Sequence, residues 1–105
     1  MIIGALMLCG AGPISKFEDR SPTADFDSAA KSGDIERCLI DLEGMNIPRV
    51  FRQPDRPDRV TIVWQVAGYM SAPLTDRVDL IDAPAGTHVR AWFNRKRLDQ
   101  CAVAR

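Results

Sequence analysis

The longest uninterrupted run of β-branched and aromatic residues covers residues 60–67, Val-Thr-Ile-Val-Trp-Gln-Val-Ala. Residues of these types favour β-strands. Successive side chains of a strand point to opposite faces of the sheet, so Val60, Ile62, Trp64 and Val66 share one wholly apolar face. The pattern predicts a central strand with one face that another element must cover.

A second apolar pattern, with helical spacing, covers residues 35–43. Its apolar side chains recur at positions i, i+3, i+4 and i+7, and they are Ile35, Cys38, Leu39 and Leu42. Asp34 precedes the run as a suitable N-cap, and Gly44 follows it as a typical C′ residue. We therefore predict an amphipathic helix whose apolar stripe packs on the strand.

Two further strand-like runs, residues 74–82 and 87–93, are joined by Ala-Pro-Ala-Gly, a connection typical of a β-hairpin. Placing Asp82 opposite Thr87 makes both faces of the hairpin chemically consistent. One face then pairs Leu80 with Val89 and Val78 with Ala91. The other pairs Asp79 with Arg90, Ile81 with His88 and Arg77 with Trp92. This register predicts an ion pair between Asp79 and Arg90 and a cation–π contact between Arg77 and Trp92.

Residues 49–53 add a short edge strand, and the Pro-Asp-Arg repeat at 54–59 predicts a stiff loop after it. The arginines of this region, Arg52, Arg56 and Arg59, suggest an anion clamp. The intervening aspartates favour a solvated connector instead. The elements together predict an α+β domain: one amphipathic helix packed on a three- or four-stranded antiparallel sheet, stapled by a disulfide.

Three cysteines are present, and no pair has the C-x-x-C spacing of a zinc site. Cys38 lies on the apolar stripe of the helix, and Cys101 follows the last strand. We predict a disulfide between these two, because it would link the first core element to the last. Two buried free thiols of a cytosolic protein are the alternative.

The chain of 105 residues divides into residues 1–24, a signal-like apolar segment with a flexible linker, and residues 25–105, the α+β domain. Residues 1–12 carry no charge and resemble the end of a secretory signal peptide. They are too few to cross a bilayer. We expect an exported protein, periplasmic or extracellular. The alternative is a lipid anchor on Cys9, and we expect membrane contact through such an anchor alone.

Fourteen basic residues balance fourteen acidic ones, so no net field directs the chain to nucleic acid. No cofactor or catalytic motif is recognisable, and strand geometry places Asp79 on the face opposite Asp76 and Asp82, which argues against a metal site.

His88 is the one histidine. An enzyme that uses His88 as an acid–base group with Asp79 or Arg90 is one alternative function.

The second face of the predicted sheet mixes charged, apolar and aromatic residues. Its candidate binding residues are Arg77, Asp79, His88, Arg90 and Trp92. Such a face is either solvated or binds a ligand or partner. We predict a small, exported, non-enzymatic binding domain for an unknown protein or small ligand. A single-strand nucleic-acid binder that uses the basic and aromatic residues 90–97 is a further alternative.

Overall fold

The computed structural model describes residues 15–42, 46–66 and 74–104. These residues form one antiparallel sheet of five strands in the order β1-β5-β4-β3-β2. The strands are β1 (Ala24–Ser28), β2 (Asn46–Phe51), β3 (Arg59–Val66), β4 (Leu74–Ala83) and β5 (Gly86–Trp92). The helices are a 3₁₀ helix (Ser15–Asp19), α1 (Ser32–Asp41) and α2 (Arg95–Asp99). The predicted α+β class is confirmed, but the sheet has five strands instead of three or four.

The inner face of the sheet, which packs against α1, holds the core. Its buried apolar strand residues include Val60, Ile62, Trp64, Val78, Leu80, Val89 and Ala91. The buried hydroxyl residues Ser28 and Thr87 lie on the same face, where β1 pairs with β5. Ile35 and Leu39 of α1 and Leu98 of α2 pack against them and are fully buried. Val60, Ile62 and Trp64 therefore share one core with the helical stripe, as predicted, because packing removes the apolar surface of both elements from water.

The register predicted for the hairpin is confirmed at every position, from Asp82 opposite Thr87 to Arg77 opposite Trp92. Gly86 closes the turn with a φ of 149°, a conformation that residues with a Cβ rarely adopt. A Cβ at this position would also lie 2.0 Å from the carbonyl oxygen of Ser28. The turn thus depends on glycine, both for its backbone angle and for the close approach of β1.

The fifth strand is β1, which pairs with β5 at the edge of the sheet. The sequence assigns residues up to 24 to a linker and predicts no strand here, so β1 is an element that the local pattern does not reveal. Ala24 and Ser28 point inward and are buried, while Asp25 and Asp27 point outward. This period-two pattern contains few large apolar residues, so it predicts a strand only weakly. The strand forms because pairing with β5 satisfies the backbone N–H and C=O groups of β1.

Helix α1 begins at Ser32, earlier than predicted. Lys31 occupies the N-cap and makes no side-chain capping bond, while the predicted cap, Asp34, lies in the first turn and forms an ion pair with Arg37. The predicted C′ residue Gly44 lies outside the described residues.

The segment after β5 brings Cys101 to α1. Asn94 caps α2 by accepting a hydrogen bond from the backbone N–H of Arg97 at 3.1 Å. The Cys38 and Cys101 sulfurs are bonded, with the two Cα atoms 5.5 Å apart, so the predicted disulfide is confirmed. None of the described helices is long and apolar enough to cross a membrane. The signal-like residues 1–12 lie outside the described part of the chain.

Candidate functional site

The outer face, on the opposite side of the sheet from α1, collects the charged strand residues. Strand alternation places Arg77, Asp79 and Ile81 of β4 beside His88, Arg90 and Trp92 of β5. Thr61 and Phe51 continue the Asp79 row across β3 and β2. The five predicted binding residues therefore share one face, as the hairpin register requires.

The 3₁₀ helix covers one end of this outer face. Phe17 is 3% exposed, and its ring centroid lies 6.1 Å from that of Trp92. The indole Nε1 of Trp92 donates to the carbonyl oxygen of Arg20 at 3.0 Å. The sequence predicts a linker in this region and no apolar cover for this face. A single phenylalanine in a polar segment was the available signal, and it is too weak to predict the contact.

Arg77 and Asp79 form a two-point ion pair on this face. Arg77 Nε donates to Asp79 Oδ1 at 2.9 Å, and Arg77 Nη2 donates to Oδ2 at 2.8 Å. Thr61 Oγ1 also donates to Asp79 Oδ1, at 3.0 Å. Arg77 therefore takes the place predicted for Arg90 as the partner of Asp79. It stands two residues along the same face of β4, from where its planar fork reaches both carboxylate oxygens.

Two guanidinium groups lie over the indole of Trp92. The Arg77 and Arg90 Cζ atoms are 5.2 and 5.0 Å from the ring centroid, which confirms the predicted contact of Arg77 and adds one for Arg90. Trp92 is only 5% exposed. Its ring thus serves to position the two arginines and is largely closed to a ligand.

A groove of about 580 Å³ opens beside these residues. Thr61, Asp79 and Ile81 line it from β3 and β4, and Glu18 of the 3₁₀ helix lines it from the covered end. Phe51 contributes an exposed ring from β2. Five arginines surround it: Arg52, Arg56, Arg59, Arg77 and Arg90. We call this site the arginine groove.

The arginine groove brings together two sets of residues that are far apart in the sequence. Arg77 and Arg90 come from the hairpin, whereas Arg56 lies in the turn between β2 and β3 and Arg59 is the first residue of β3. Of the two interpretations of Arg52, Arg56 and Arg59, the anion clamp is the one that resembles this arrangement, because all three residues line the groove. Arg52 also forms an ion pair with Glu36 of α1, which anchors the rim of the groove to the helix layer.

His88 lies outside the residues that line the arginine groove and contacts β1 instead. Its Nε2 lies 2.6 Å from Asp25 Oδ1, and its Nδ1 lies 2.8 Å from Asp27 Oδ1. The hydrogen bond with Asp27 raises the pKa of His88 above its usual value, and the negative charge of Asp25 acts in the same direction. Neither aspartate was predicted as a partner, since this contact requires β1.

The segment 90–97 does not present aromatic faces for stacking with bases. Trp92 is buried on the outer side, and Phe93, 4% exposed, packs on Trp64 in the core with ring centroids 4.7 Å apart. Among the described residues, no group of three or more histidine, cysteine, aspartate or glutamate side chains is placed to hold a metal ion.

Comparison of the chain with models of protein families, with curated proteins and with solved structures finds no match. The geometry of the arginine groove therefore carries the functional interpretation.

Proposed function

We propose that this protein is a small exported binding domain that holds its ligand in the arginine groove. The observation that carries the proposal is the groove itself, about 580 Å³, which lies within the size range of small-molecule sites. Arg77, Asp79 and Arg90, three of the binding residues predicted from the sequence, line it. It combines apolar surface from Phe51 and Ile81 with fixed polar groups, as ligand sites commonly do.

The surroundings of His88 favour a binding role over acid–base catalysis. Both ring nitrogens contact carboxylate oxygens of β1, so neither is free to exchange a proton with a substrate in the described arrangement. His88 also lies outside the set of groove-lining residues. An enzyme would need its acid–base group within hydrogen-bond reach of the bound molecule.

Export is supported by the disulfide between Cys38 and Cys101, since such bonds persist in oxidising compartments. The uncharged segment 1–12 fits the same interpretation. Intact-mass measurement of protein from its native host should find this segment removed and the protein outside the cytoplasm. Retention of Met1 in a soluble cytosolic fraction would contradict export, and an acyl mass on Cys9 would establish a lipid anchor instead.

Binding in the groove can be tested with a matched pair of tryptophan substitutions. Ile81→Trp fills the arginine groove, whereas Ile47→Trp places the same side chain on an exposed position of β2 that does not line the groove. We expect ligand-observed NMR against a library of anionic, cationic and neutral compounds to find binders that Ile81→Trp abolishes and Ile47→Trp retains. A library in which no binder shows this difference would refute the proposal.

A further inference from the structure

We infer that the arginine groove takes a small oxyanion, a molecule that carries two or more phosphate or carboxylate groups. The inference rests on the proposed function and adds the chemical class of the ligand. The residues that line the groove include five arginines and two carboxylates, those of Glu18 and Asp79. The groove therefore has an excess of positive charge, although the chain as a whole is neutral.

Three of these arginines have no acidic partner among the described residues. Arg56, Arg59 and Arg90 form no ion pair with any carboxylate in the described ranges. The two carboxylates of the groove are both directed to Arg77, Asp79 in a two-point contact and Glu18 at 3.7 Å. The acidic residues of the groove thus leave the other guanidinium groups available to a ligand.

Arg90 is the most strongly positioned of the three. Its guanidinium stacks on the buried ring of Trp92, and its Nε–H is shut off from solvent without an acceptor among the described residues. Enclosure of Nε leaves the terminal nitrogens as the donors for an incoming acceptor. A guanidinium held in place loses little conformational freedom on binding, which favours an oxyanion that accepts two parallel hydrogen bonds.

The boundaries of the groove favour a compact ligand over a polymeric anion. Glu18 lines the covered end of the groove, and at the rim Glu36 is ion-paired with Arg52. A long polyanion that crossed the rim would meet these carboxylates and would find no exposed aromatic platform in segment 90–97. Phe51 and Ile81 offer apolar contact to the organic part of a small ligand.

The test is isothermal titration calorimetry of the full chain with sodium pyrophosphate and, separately, with sodium citrate, in the absence of divalent metal ions. Arg59→Gln and Arg90→Gln remove groove cations, whereas Arg49→Gln removes an exposed cation of β2 that does not line the groove. All three variants change the net charge equally. We expect the two groove variants to weaken binding about tenfold or more, and Arg49→Gln to change it less than about twofold.

The two probes separate phosphate from carboxylate ligands, since the tighter one identifies the preferred group. Equal weakening by all three variants, or tighter binding of a single-stranded oligothymidine than of either probe, would overturn the inference in favour of a diffuse charge effect. Failure of both probes to bind would overturn it as well. In that case a neutral or cationic binder sensitive to Ile81→Trp would still support the groove as the ligand site, so the two proposals fail separately. Thermal unfolding of Arg90→Gln checks that lost binding does not reflect lost packing on Trp92.

Discussion

The two faces of the sheet are made by the same strands but are stabilised in different ways. The buried centre of the inner face is apolar and is covered by α1 and by the segment that contains Leu98. The outer face is covered at one end only, where Phe17 lies on Trp92, and elsewhere it carries the arginine groove. Non-directional burial thus organises one face, and directional contacts of arginines and aspartates organise the other.

This difference assigns most of the folding stability to the inner face and the proposed ligand binding to the outer face. Full burial of a Leu or Ile side chain contributes roughly 1.5–3 kcal/mol, whereas an exposed ion pair contributes about 0–1 kcal/mol. The inner face and the disulfide should therefore supply most of the free energy of folding. The exposed groove residues Phe51, Arg56 and Arg59 can then be replaced with little loss of structure, which makes this part of the arginine groove accessible to mutagenesis.

Removal of the disulfide should have the largest effect, because it ties α1 to the end of the chain on the inner side. Replacement of both Cys38 and Cys101 by alanine releases a constraint across a sequence separation of 63 residues. The chain-entropy model gives a loss of about 4 kcal/mol in the free energy of unfolding. Urea denaturation measures it, and Cys9→Ser serves as the control that leaves the bridge intact. A double variant as stable as the wild type would show that the core alone holds the domain.

The second prediction compares the two faces directly, through the loss of stability on replacing two adjacent residues of β4. Leu80 points inward and is fully buried, whereas Ile81 points outward and is half-buried. Leu80→Ala should destabilise the protein by about 3 kcal/mol, because it leaves a cavity, and Ile81→Ala by about 1 kcal/mol. Equal losses in denaturant unfolding would contradict the assignment of one face to stability.

The cover of the outer face should matter less than the inner core. Phe17→Ala exposes Trp92 and should cost about 2 kcal/mol, while Phe51→Ala removes an exposed ring of the same face and should cost under about 0.5 kcal/mol. Hydrogen exchange of the Trp92 indole N–H, which donates to Arg20, reports the loss of cover locally. Unchanged protection in Phe17→Ala would mean that the 3₁₀ helix does not depend on this contact.

The smallest expected effect is the pH dependence of the contact between β1 and β5. The pKa of His88 is raised by Asp27 and Asp25, so protonated His88 stabilises the folded state. This contribution is complete below the unfolded value of about 6.5 and is lost as the pH rises through the raised pKa. Because the side chain is 38% exposed, screening should limit the effect to a few tenths of a kcal/mol.

An NMR titration of His88 measures this pKa directly. Asp27→Asn should move it back towards the ordinary value, whereas Asp55→Asn in the distant turn should leave it unchanged. Arg90, two residues along the same face of β5, is a positive charge that acts against protonation. A His88 pKa unaffected by Asp27→Asn would contradict the described contact.

Residues close together in sequence determined the inner face. The alternation of residues 60–67, the helical stripe that contains Cys38 and the pairing of residues 74–82 with 87–93 are local patterns, and each predicts which side chains point inward. The disulfide followed from the same patterns, because two cysteines at opposite ends of one core are the pair that can bridge it. Burial of apolar surface then leaves few arrangements for these elements.

The tertiary structure alone decided how the outer face is built. β1 is short and polar, so its position depends on pairing with the edge of β5. The position of the 3₁₀ helix depends on the contact of a single phenylalanine, Phe17, with Trp92. The sequence correctly predicted Arg90 opposite Asp79 on the neighbouring strand, yet the Asp79 carboxylate is hydrogen-bonded to Arg77. Arg77 lies two residues away on the same strand and face, and from there its guanidinium reaches both carboxylate oxygens. Arg56 and Arg59 likewise line one groove with Arg90 only after β3 has paired with β4 and β4 with β5, a long-range arrangement that no local pattern encodes.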